Sequence, residues 1–122
     1  MDSSQEKSAF REPTLFERQL LKRLLDLTNA GDDLTREVAS RRVRTIVEHG
    51  DNYGSIELDA PVDRRDAGLH VLADALASDI DGVPIEAVLF SCRGRVVELE
   101  ILKLDGSPIV RMPRPSEFNL FL

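Results

Sequence analysis

The sequence predicts an α+β domain: an N-terminal helix packed on an antiparallel, mostly meandering β-sheet. Apolar residues recur at helical spacing between Phe16 and Leu27. β-Branched residues crowd positions 43–47. Gly82, Gly94 and Gly106 stand at an even spacing, each behind a polar residue (Asp81, Arg93, Asp105), with aliphatic runs between them. Asp-Gly is a strong tight-turn signal because glycine supplies φ > 0 without steric cost. Runs of roughly nine residues between such turns suit strands of a meander.

The first element begins at Pro13-Thr14-Leu15-Phe16-Glu17, where Thr14 and Glu17 match a capping box. Phe16, Leu20, Leu24 and Leu27 form an apolar stripe widened by Leu21 and Leu25, and Arg18, Gln19, Lys22, Arg23 and Asp26 fill the other side. Asn29-Ala30-Gly31 ends the helix, with Gly31 expected to take the left-handed cap. Asp33 can cap a short second helix that buries Leu34 and Val38. A single long helix to Glu48 is the alternative. Val43, Thr45, Ile46 and Val47 are stiff at χ1, so the helix is broken near Ser40 and residues 42–48 form a strand. The loop His49–Gly54 follows, and Ser55–Asp59 returns as a second strand with Ile56 and Leu58 on one face.

Pro61 and the run Asp63-Arg64-Arg65-Asp66 mark a surface loop. Leu69–Ser78 is ambiguous: Leu69, Leu72, Ala73 and Leu76 fit a helix by propensity, whereas a strand would fit the meander. Val83–Cys92 is apolar on both faces and is expected to be an interior strand covered on both sides. In Arg95–Leu104, Val97, Leu99 and Ile101 make one face for the helix, and Val96, Glu98, Glu100, Leu102 and Leu104 make the other. A short strand is expected at Ile109–Met112, stopped by Pro113 and Pro115. The end, Glu117–Leu122, is too apolar for an idle tail and is expected to dock on its own sheet or on a second subunit. The Val96, Leu102, Leu104 face is the candidate receptor.

Asp79-Ile80-Asp81-Gly82-Val83, then Val97–Asp105, then Ser107-Pro108-Ile109 resemble a family of small bacterial domains of unknown function. That family carries an Asp-x-Asp-Gly-Val turn, a Glu-Leu-Asp-Ile-Trp-Lys-x-Asp strand motif and a Ser-Pro-Leu step. Gly50–Ser55 is similar to its Asp-Gly-Gly-Met-Gly-Ser stretch, and the likeness spans roughly residues 43–113. Leu102 stands where the family has tryptophan, and Asn52 and Tyr53 alter the first glycine loop. The resemblance implies that Leu69–Ser78 is a strand leading into the Asp-x-Asp-Gly hairpin, and it implies no activity.

The chain has 122 residues, 42% hydrophobic and 31% charged, with a formal net charge of −6. That length suits one domain, expected at 13–122 behind a disordered 1–12. One cysteine, Cys92, excludes an intrachain disulfide, and no apolar run is long enough for a membrane span. The polar start MDSSQEKSAF lacks the apolar core of a signal peptide, so a cytoplasmic location is expected. The acidic balance disfavours nucleic acid, and the basic clusters at Arg41, Arg42 and Arg44 and at Arg64 and Arg65 read as solvated surface.

No phosphate loop, dinucleotide fingerprint or nucleophile elbow is present. Cys92 lacks a local motif that would pair it with His49 or His70, and a structural zinc site lacks ligands. Asp79 and Asp81 read as turn residues rather than a calcium loop. No cofactor, metal or catalytic residue is implied. The leading expectation is a non-enzymatic protein-binding module, of adaptor or toxin-neutralising type, acting in a bacterial cytoplasm. Glu98, Glu100, Leu102, Phe118 and Phe121 are its expected contacts, and its partner an unidentified, basic protein. The rival is a small enzyme or metal-binding protein using Glu98 and Glu100, which share one strand face about 7 Å apart. A homodimer is the third reading.

Overall fold

A computed structural model describes residues 9–50, 53–60 and 68–121. The elements run α1 (Leu15–Leu27), α2 (Asp32–Ala39), β1 (Val43–Gly50), β2 (Tyr53–Leu58), β3 (His70–Ser78), β4 (Pro84–Cys92), β5 (Arg95–Lys103), a 3₁₀ turn (Pro115–Glu117) and β6 (Asn119–Leu120). The strands form one antiparallel sheet in the order β1-β2-β5-β4-β3-β6. The expected α+β fold is the one observed.

The capping box opens α1 as expected: Thr14 accepts from the Glu17 amide, and the Glu17 carboxylate accepts from the Thr14 amide. Glu17 is buried because it also receives both Arg11 nitrogens, at 2.8 and 2.9 Å. Burial alone would raise its carboxyl, but the Arg11 and Thr14 bonds outweigh that and hold it below the usual range. Arg11 also donates to Thr45 Oγ1 and exchanges two backbone bonds with Val43. Arg11 is therefore a clamp between α1 and β1. Residues 1–8 of the expected disordered segment lie outside the described residues.

The left-handed residue that ends α1 is Asn29 (φ 54°), not Gly31. Ala30 N–H bonds Leu25 O and Asn29 N–H bonds Asp26 O, the paired closure of a Schellman motif. Gly31 instead turns the chain into α2, which buries Val38 as expected. Both helices feed one core: Leu20, Leu21, Leu24, Leu25 and Val38 meet Val43, Ile56, Leu58, Ala73, Ala75, Ala77, Ile85, Ala87, Leu89, Leu99 and Ile101. The alanines of β3 are not helix signals here. They are short side chains that leave room for α1, which contacts this strand.

Two glycines are required by the backbone. Arg93 (φ 52°) and Gly94 (φ 79°) form the two-residue turn between paired Cys92 and Arg95, and both φ values suit the twist of a tight hairpin. A Cβ on Gly54 would lie 2.1 Å from the Val47 carbonyl oxygen, where β1 bulges. Part of the expected 49–54 loop, residues 51 and 52, lies outside the described residues, as does the charged run 63–66.

Three expectations are corrected. Residues 109–112 form no strand, because the Val110 and Arg111 amides serve a carboxylate described below. A bulge at Phe90/Ser91 breaks the alternation of β5 and carries Val96 into the helix-side core, so it is absent from the acidic face. β4 is interior, yet its second face, with Glu86 and Phe90 half-buried, has no described helix over it.

The tail docks on its own sheet, but on β3 rather than β5. Leu120 pairs with Ala75, Asn119 with Leu76, and Phe121 N–H donates to Asp74 O at 2.8 Å. Phe118 is 0% exposed in the core, and Arg23 of α1 donates to Phe118 O and Asn119 Oδ1. Leu122 is outside the described residues. Phe118→Ala should lower stability by about 3–5 kcal/mol, as for other buried aromatics, read by urea unfolding. Phe121→Ser, at a side chain 59% exposed, should change it by less than about 1 kcal/mol. Equal losses would show that the tail is held by its strand pairing and not by one anchor.

Candidate functional site

The residues behind the family resemblance converge at one end of the sheet. Asp79 follows β3, Asp81 and Gly82 form the β3–β4 turn, and Lys103 ends β5. Lys103 and Asp79 continue the inward-facing registers of Leu99–Ile101 and Ala75–Ala77, so a cation and an anion arrive together inside the core. Lys103 Nζ lies 2.9 Å from Asp79 Oδ2 and 3.1 Å from Pro108 O, and also donates to Asp81. Asp79 further accepts from the amides of Ile80, Val110 and Arg111 at 2.7, 2.7 and 2.9 Å. Both partners of the Lys103–Asp79 pair are almost wholly enclosed, with side chains 1% and 0% exposed.

Burial by itself would raise the Asp79 carboxyl. The Lys103 ammonium and the amides outweigh it and hold the group well below the usual carboxylate range. Burial likewise disfavours the Lys103 charge, and Asp81 and Asp79 reverse that, raising it. Each polar atom of the cluster is spent on another part of the chain. Its chemistry is that of a fastener: it pins the β3–β4 turn, the end of β5 and residues 108–111 together. Sequence reasoning took Asp79 and Asp81 as turn residues and missed Lys103 as their partner. The signal was parity, since a lysine two residues beyond Ile101 falls on the core face of β5.

The surface opposite the helices is different. By alternation and register it carries Glu57 of β2, Glu98, Glu100 and Leu102 of β5, Glu86, Val88 and Phe90 of β4, and Asp74 and Leu76 of β3. Glu57 stands opposite Glu98, and Asp74 and Glu100 both stand opposite Val88. Arg44 of β1 pairs with Glu57 at 2.6 Å and stacks over the Phe10 ring at 4.7 Å. No helix among the described residues covers this face. The hydrogen bond to Asp74 is the largest influence on Glu86, followed by burial and by the charges of Asp74 and Glu100. Together they push its carboxyl up to about 7.

Of the residues expected to touch a partner, the structure brings Glu98, Glu100 and Leu102 onto this half-buried face. It leaves Phe121 exposed at the sheet edge, bonded through its amide to Asp74. Phe118 is corrected: fully enclosed, it anchors the tail and offers nothing to a partner. Cys92 is buried and free, and among the described residues no group of three or more metal-binding side chains is assembled. No described helix is long and apolar enough to cross a membrane. Sequence reasoning also missed Asp74 and Glu86, because they belong to the face only once the β3–β4 pairing is known.

Two titrations check these assignments. Asp79 has a lowered folded pKa, so its contribution is present above its unfolded pKa and is lost as pH falls through the folded one. Asp79→Asn should therefore flatten the acid limb of stability below about pH 4, besides lowering the melting temperature at neutral pH. Glu86 has a raised one, so its contribution is present below the unfolded value and is lost as pH rises to about 7. Glu86→Gln should remove that decline and make the protein more stable than wild type at pH 8. Parallel melting curves for wild type and Glu86→Gln across this range would refute the Asp74–Glu86 hydrogen bond.

No curated protein and no solved structure matches the chain. A family model described as Domain of unknown function (DUF6984) matches residues 10–113. The match takes in the Arg11 clamp, the whole meander and the Lys103–Asp79 fastener, and stops before Phe118. The chain belongs to this family, a domain of unknown function.

Proposed function

We propose that the protein is a non-enzymatic binding module whose contact surface is the acidic, helix-free face of the sheet. The single observation that supports this most is the mixture on that face: Val88, Phe90, Leu76 and Leu102 interleaved with Asp74, Glu57, Glu86, Glu98 and Glu100. Interleaved apolar and charged side chains suit a contact with a desolvated centre and a polar rim. A basic protein partner fits, because it meets carboxylates with cations, whereas a second copy placed face to face would set acid against acid. Phe121 at the edge extends the apolar part. An adaptor or toxin-neutralising role in a bacterial cytoplasm agrees with a small acidic domain.

The test uses Glu98→Gln with Glu100→Gln. Folding stability should stay within about 0.5 kcal/mol of wild type. Wild type should retain a basic protein from the native host at low salt and release it as salt rises, because exposed charges are screened. The double variant should retain far less. A partner held equally by both proteins, or unaffected by salt, would remove this face from the reading. A metal-binding role predicts instead that calcium, magnesium or manganese raises the wild-type melting temperature and not that of the double variant. No shift is expected.

A further inference from the structure

We propose that Asp74 and Glu86 form a one-proton gate on the acidic face: they share a proton in the unbound protein and release it to solvent when a cationic partner docks. This rests on the binding face proposed above and adds its regulation.

The geometry comes from three adjacent strands. Asp74 on β3 and Glu100 on β5 both stand opposite Val88 of β4, and Glu86 is two residues from Val88 on the same face of that central strand. Glu86 thus lies diagonal to Asp74 on one side and to Glu100 on the other, a spacing of roughly 7–8 Å between backbones that long side chains close. Asp74 and Glu86 are both half-buried, and Asp74 Oδ1 is enclosed without a hydrogen-bond partner. Two carboxylates in such contact do not both ionise readily. A proton between them turns repulsion into a hydrogen bond.

The other charged groups on the face sharpen this. Glu100 faces Glu86 from β5, Glu98 lies further along the same strand, and Glu57 of β2 stands opposite Glu98 and carries Arg44 of β1. Beside β3, β6 contributes only Asn119 and Leu120, neither of which titrates. Among the described residues anions therefore dominate the surroundings of Glu86, and its carboxyl is pushed up to about 7. A cation arriving from solvent reverses the sign of that field and favours the ionised pair. Binding and deprotonation are then linked: the partner expels a proton, and a lower pH opposes the partner. Glu86→Gln imitates the protonated state permanently, since its amide can donate to Asp74 but has no proton to lose.

The experiment measures binding of an N-acetylated oligolysine peptide, whose lysines stay charged over this range. Calorimetry is run from pH 5.5 to 8.5, in buffers of different ionisation enthalpy. Wild type should bind several-fold more tightly at pH 8 than at pH 6 and release a fraction of a proton that falls to zero above pH 8. Glu86→Gln should bind with less pH dependence and without that release, while His49 and His70 remain as controls in both proteins. Binding that is tight, salt-sensitive and equally pH-dependent in both proteins overturns the gate and leaves the binding face standing. Absence of salt-sensitive binding at every pH overturns the binding face and the gate with it.

Discussion

The Lys103–Asp79 ion pair is the constraint on which the architecture turns. Burying two charges costs more than an apolar pair of the same size unless their remaining bonds are supplied. Here they are supplied by segments far apart in the chain: the Asp81 carboxylate, the Pro108 carbonyl and the amides of Ile80, Val110 and Arg111. Residues 108–111 are therefore held irregular by the bonds they make, Pro108 accepting through its carbonyl and Val110 and Arg111 donating through their amides, and they form no strand. From this fixed point the chain passes through Pro113 and Pro115 into the 3₁₀ turn, and Phe118 is delivered into the core beneath α1. A second clamp, Arg11 on Glu17 and Thr45, fixes the other end of the domain in the same manner.

The sheet divides the molecule's chemistry between its faces. The helix side is nearly all aliphatic, and the charges admitted there are fully paired. The opposite side mixes carboxylates with valine, phenylalanine and leucine. Glu57 stands opposite Glu98 and is met by Arg44, while Asp74 and Glu100 lie on either side of Val88.

Much of the fold was legible because local chemistry and tertiary structure agree. Thr14 and Glu17 announce α1, the stiff residues 43–47 announce β1, and the glycine turns announce the meander. Leu69–Ser78 was legible only through family resemblance. Its alanines and leucines favour helix in isolation, and the need for small side chains under α1 overrides that preference. Val96 was misplaced because alternation fails at a bulge, which the sequence does not mark. Glu98, Glu100 and Leu102 were found because they lie on one strand. Asp74 and Glu86 were not, since what joins them is pairing between strands. Phe118 was assigned to a surface because apolar tails carry no sign of which residue turns inward.

The strand order carries a consequence for how the protein is made. β5 sits between β2 and β4, so the hairpin of β1 and β2 cannot join the rest of the sheet until a strand that begins at Arg95 has been synthesised. Lys103 and Phe118 emerge later still, and each leaves a hole when absent: one an unpaired carboxylate, the other an empty aromatic site. On the ribosome, α1 must therefore wait with Leu20 and Leu24 uncovered, and a nascent chain shorter than about this length offers those surfaces to chaperones. Separately expressed halves cut between β2 and β3 should meet the same difficulty, because the cut divides the β2–β5 pairing and neither half would own a closed core.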